Sequence, residues 1–121
     1  MAVRENMIYD QKTLEKKMDS IITLYINPSI GTPSELRKEV IRCLSGEANE
    51  LAIEGMKLTR TAFQDFLTRK YMDVDQFDEE TNGLYMKSKK AIYQYMRSVY
   101  DFAYDNGPEP DWRDYVHPAN L

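Results

Sequence analysis

Apolar residues recur at steps of three and four from Leu36 through Val40, Leu44, Ala48, Leu51, Gly55, Leu58 and Ala62 to Phe66. That spacing puts them on one face of a helix, and Cys43, Ala52, Phe63 and Leu67 widen the same face. The start is marked by TPSE, with Thr32 as N-cap, Pro33 at the first helical position and Glu35 placed to close a capping box. Ser45-Gly46 and Gly55 interrupt the pattern without shifting its phase. An interior glycine costs about 1 kcal/mol relative to alanine, so these are the expected breaks or kinks. The sequence therefore predicts one long helix, or two to three collinear pieces, over residues 33–71. A stripe this long exceeds what one further helix can cover, which predicts a homo-oligomer, a dimer or larger.

Two further segments carry the same period. In DQKTLEKKMDSIITLYIN, residues Leu14, Met18, Ile21, Ile22 and Tyr25 form a helical stripe that Asn27-Pro28 ends. The β-branched run IITLYI also reads as a strand, but the spacing continues unbroken from Leu14 and favours helix. In LYMKSKKAIYQYMRSVYDFAYDN the inner face is Leu84, Ala91, Ile92, Tyr95, Val99, Phe102 and Ala103, with Asn106-Gly107 as the stop. The remainder, PEPDWRDYVHPANL, has no period and three prolines. It reads as extended, docked through Trp112 and Tyr115 or waiting for a partner. At 121 residues the chain has the size of one domain. The expected fold is all-α: a compact bundle of three to four helices over residues 1–107 with one long or kinked central helix, then an extended acidic C-terminal tail over 108–121.

Several chemistries are excluded on residue grounds. Cys43 is the single cysteine, so no internal disulfide forms, and its place in an apolar pattern reads as a buried, inert thiol. The first twenty residues mix charges of both signs, and SIITLYINPSIGTPS is broken by Asn27, Pro28, Gly31 and Pro33. Neither an export signal nor a membrane span is expected, which points to the cytoplasm or a particle assembled there. MDVDQFDEETNGL begins like a calcium loop at Asp73 and Asp75, but Phe77, Asp78 and Leu84 occupy the places of a third ligand, the turn glycine and the bidentate glutamate. Its acids read instead as a solvated loop or a contact patch. His117 stands alone in the tail, and no glycine-rich phosphate loop is present. No enzyme activity, metal or cofactor is expected.

GMKLTRTAFQDFLTRKY can be laid on a helix-turn-helix, with Gly55 in the turn and Lys57, Thr59, Arg60 and Thr61 at the start of a recognition helix. The interval from Ala52 to Gly55 is one residue short for that motif, and the ribbon-helix-helix alternative needs a much shorter first helix. Lys57, Arg60, Arg69 and Lys70 are also faced by Glu47, Glu50, Glu54 and Asp65. DNA affinity grows from phosphate neutralisation by a basic stripe, and only Lys87, Lys89 and Lys90 offer a local basic face. A DNA-binding regulator is the alternative reading.

Recognition of a protein partner is the favoured one. Tyr93, Tyr100 and Tyr104 recur at seven and four along the last helix, a stripe distinct from Ile92, Tyr95, Val99 and Phe102. Tyrosine is enriched at interfaces, and an exposed stripe would be a contact face. The other reading buries that helix all round and makes the tyrosines core. Charge adds to the binding reading: residues 1–70 hold 11 basic and 10 acidic side chains, whereas 71–121 hold 5 and 10. The acidic EPDWRDY segment, with Asp111, Trp112 and Tyr115, has the form of an insert for a basic groove. The expectation is a small helical adaptor, regulator or inhibitor of a protein partner. Its general look is similar to accessory proteins of phages and other mobile elements.

Overall fold

The computed structural model describes residues 9–118. It is mostly helical, at 68%, with five α-helices and no strand among the described residues. Helix α1, Gln11–Ile21, starts at Asp10, whose side chain accepts a hydrogen bond from the Thr13 amide at 2.7 Å. It runs on into a π-helical turn, Ile22–Ile26, in which the Asn27 amide reaches back to the Ile22 carbonyl at 2.9 Å. The IITLYI run is thus helical, and the wider turn keeps Ile22 and Ile26 both buried beside Leu14, Met18 and Ile21. The following reversal needs Gly31, because a Cβ there would stand 2.0 Å from the Leu24 carbonyl oxygen.

Helix α2, Pro33–Leu44, begins where TPSE places it, but the Thr32 side chain makes no cap hydrogen bond. The expected capping box does not form; Pro33 in the first turn, with Glu35 beside it, marks the start. The long apolar stripe is then divided. Ser45–Asn49 leaves the helix with Gly46 at φ 79°, and α3, Glu50–Arg69, restarts on Asn49, whose side chain accepts from the Ala52 amide at 2.9 Å. The Cys43 sulfur lies 3.8 Å from the Ala52 carbonyl, so α3 folds back beside the end of α2 and does not extend its line. Gly55, the other expected break, sits inside continuous helix.

Helix α4, Val74–Glu80, replaces the expected solvated loop. Asp73 and Gln76 close a capping box around its first turn, and Phe77 is fully buried. One anchored aromatic turns an acidic run into a packed element. Helix α5, Lys89–Tyr104, starts at Ser88, whose hydroxyl accepts from the Ala91 amide at 3.1 Å. Leu84 and Met86 lie before it, outside any helix and on either side of Tyr85 at φ 57°, and are buried. Along α5 the buried residues are Ala91, Ile92, Tyr93, Tyr95, Met96, Val99, Tyr100, Phe102 and Ala103. The helix ends where the Asp105 and Gly107 amides both reach the Asp101 carbonyl, at 2.8 and 2.9 Å.

Helix α1 packs chiefly on α3, and α2 on α5. The core between them is led by Met18, Leu36, Phe63, Phe66, Tyr95 and Met96. The segment after Gly107 lies against this body. Ser34 donates to Glu109 at 2.7 Å, Trp112–Asp114 form a 3-10 turn, and Val116 is buried. Met86 and Val116 make an antiparallel bridge, with the Lys87 amide on the Tyr115 carbonyl at 3.0 Å and the His117 amide on the Tyr85 carbonyl at 2.7 Å.

Candidate partner-binding cleft

A cleft of about 910 Å³ opens where the end of α3 meets the first half of α5 and the C-terminal segment. Leu67, Tyr93 and Tyr115 supply its apolar and aromatic lining, with Gln94 and Ser98 beside them, and Lys70, Lys89, Lys90 and Arg97 bring four cations. No carboxylate lines it. Arg97 Nε donates to Asp101 at 3.3 Å; Tyr115 stacks on Tyr95 with centroids 5.3 Å apart, and its hydroxyl stands 3.2 Å from the Ser98 hydroxyl.

Three of these cations stand against local preference. Lys70 adopts the left-handed conformation, φ 51° and ψ 47°, where a side chain costs about 1–2 kcal/mol that glycine avoids. Lys89 and Lys90 open α5 with no acid in its first turn; α1 likewise has none there, while α2, α3 and α4 carry Glu35, Glu50 and Asp75. A helix N-terminus bears partial positive charge, so lysines at that end are unfavourable by tenths of a kcal/mol and reinforce the field toward an anion. Departures from local rules gather at functional sites.

The tyrosine stripe expected as a contact face is core instead. Tyr93 and Tyr100 are each 7% exposed. The Tyr93 ring lies 4.9 Å from Phe66, and its hydroxyl is bonded to the backbone of Met72. The Tyr100 hydroxyl accepts from Arg60 Nε at 3.0 Å and Gln64 Nε2 at 2.8 Å. Tyr104, half-buried, stacks on Tyr100 at 4.9 Å, and burial pushes its phenol up. The reason is that α5 is buried on most of its faces, and tyrosine can bury its ring where its hydroxyl finds a polar neighbour, as at Tyr93 and Tyr100; the Tyr104 hydroxyl is buried without a hydrogen-bond partner among the described residues. Trp112 and Asp111 border a separate groove of about 580 Å³ with Pro33, Tyr95 and Pro110. Asp111 is held by Arg113 at 2.7 Å, and that side-chain hydrogen bond, with one from the Arg113 amide, keeps its carboxyl below the usual range. Of the named aromatic positions, the cleft joins Tyr93 and Tyr115 only.

The residues set aside for DNA are dispersed around one continuous helix. With no turn at Gly55, no separate recognition helix begins at Thr59. Thr59 is buried and bonds the Gly55 carbonyl at 2.9 Å, and Thr61 bonds the Lys57 carbonyl at 3.0 Å. Lys57 pairs with Glu54 at 3.1 Å, and Arg60 lies over the Tyr104 ring at 5.3 Å while bonding Tyr100.

The sequence singled out Lys89 and Lys90 as a basic face but not Lys70, Gln94, Arg97 or Ser98. A run of helix-opening lysines without an acid is the one local signal; the approach of Lys70 is tertiary. Among the described residues no group of three or more metal-capable side chains is present, and no helix is long and apolar enough to cross a membrane. No family model, curated protein or solved structure matches this chain.

Proposed function

We propose that the chain is a non-enzymatic interaction protein, an adaptor or regulator, that docks a protein partner in the cleft between α3 and α5. The observation that carries this reading is the cleft itself: four cations around an apolar lining with no carboxylate, in a chain of net charge −4. Lined this way, a cleft offers contact area, orienting charge and hydrogen-bonding side chains to a ligand, the usual make-up of a recognition groove. It offers no paired acid and base, and no nucleophile beside a base, on which a reaction could be built.

Self-association, expected from the length of the apolar stripe, would draw on Leu44 and Leu51, which stand 79% and 83% exposed. It is a separate property from partner docking.

The docking role is tested by placing a photo-crosslinking residue at Gln94, in the cleft, and another at Lys38, on α2. The expected result is an adduct of defined mass with another polypeptide from Gln94 only, resistant to nuclease. A nuclease-sensitive adduct, or equal adducts from both positions, contradicts the reading.

A further inference from the structure

The structure assigns to this cleft an acidic peptide segment, its carboxylates meeting Lys70, Lys89 and Lys90 and its apolar side chains lying against Leu67 and Tyr115. This deepens the docking role proposed above and rests on it.

Charge complementarity is the first argument. The lining carries cations and no carboxylate, while the chain as a whole is acidic. Lysines approach from two sides, Lys70 from the end of α3 and Lys89 and Lys90 from the start of α5. An extended segment passing between them lies within reach of lysines on both banks. The exposed Gln94 amide offers a donor and an acceptor to the peptide backbone, while the Ser98 hydroxyl is held by the Gln94 carbonyl at 3.0 Å.

Lysine ammonium groups attract carboxylate and phosphate alike, and the arginine fork grips either anion; the one guanidinium in the lining already donates from Nε to Asp101. Extent separates the two ligands: the cleft is bounded at about 910 Å³, the scale of a small-ligand site. A nucleic-acid strand is held by neutralising phosphates along a stripe, and beyond this cleft it would run over a surface of net negative charge.

The test uses fluorescence anisotropy of the full chain with three labelled probes of equal length: a peptide alternating glutamate and leucine, the same peptide with glutamine for glutamate, and a single-stranded oligonucleotide. The acidic peptide should bind, the glutamine peptide at least about tenfold more weakly, and the oligonucleotide more weakly than the acidic peptide at physiological salt. Lys89→Glu with Lys90→Glu should abolish acidic-peptide binding, Lys89→Gln with Lys90→Gln should weaken it, and Lys38→Glu should leave it unchanged; circular dichroism confirms that each is folded. Equal binding of acidic and glutamine peptides, lost on changing Lys89 and Lys90, overturns the acidic ligand and leaves partner docking standing. Oligonucleotide binding without peptide binding, or no binding of any probe, overturns both.

Discussion

The Tyr93 hydroxyl clasps the backbone of Met72 on both sides, accepting from its amide at 3.0 Å and donating to its carbonyl at 2.9 Å. Met72 lies between α3 and α4, so this clasp fixes the path of the chain just after Lys70 and holds one bank of the cleft against α5. Both backbone groups are buried and have no helical partner in this connecting segment. Tyr93→Phe keeps the ring against Phe66 and strips both groups of their partner. Leaving buried polar groups unpaired costs about 1–3 kcal/mol. Urea unfolding should show a loss in that range with an unchanged m-value; a loss near zero would mean that water or another donor replaces the hydroxyl.

Tyr100 separates core from contact face. Its hydroxyl accepts two side-chain donors, and its ring lies 5.6 Å from Phe63. Tyr100→Phe should cost about 1 kcal/mol, and Tyr100→Ala about 3–5 kcal/mol, as for other buried aromatics. Neither change should alter ligand affinity in the protein that remains folded. Full stability together with lost binding in Tyr100→Ala would restore the exposed-stripe reading.

Glu80 makes stability depend on pH. Burial first, then a hydrogen bond and charge from Asp19, then Glu79, push its carboxyl up to about 8 from 4.5. The folded state therefore binds a proton that the unfolded chain has released. Stability is fully present below 4.5 and is lost as pH rises through about 8. Chemical denaturation at intervals across that window should show the decline, and Glu80→Gln should flatten it. A wild-type curve without a decline there, or an unchanged slope in Glu80→Gln, contradicts the assignment.

Lys70→Gly should divide stability from binding. Glycine relieves the left-handed conformation at φ 51°, a gain of about 1 kcal/mol in unfolding free energy. The same change removes a cation from the cleft and should weaken acidic-peptide binding severalfold. If both properties fall, Lys70 supports the fold through its side chain and has no place in the site.

The helices were legible where a local rule operates. Asn27-Pro28, TPSE and Asn106-Gly107 marked ends that the chain uses, because backbone restriction by proline and the left-handed tolerance of asparagine and glycine act within a few residues. Gly55 misled: its cost is small beside the packing of Thr59, Ala62 and Phe63, so the helix continues through it. Seven residues were too few for α4 to show a period, and its acids concealed the one anchor, Phe77. Tyrosine is amphipathic, so spacing alone could not say whether Tyr93 and Tyr100 faced water or core. The cleft was least legible, since Lys70, Lys89 and Arg97 are spread along a chain whose summed charge is negative.

Ligand entry between α3 and α5 is read out residue by residue by amide chemical-shift mapping during titration with the alternating glutamate and leucine peptide. Saturable shifts are expected at Leu67, Lys70, Lys89, Lys90, Gln94 and Ser98, with Leu44 and Leu51 unmoved. Shifts centred on Leu44 and Leu51, or none at saturating peptide, would contradict it.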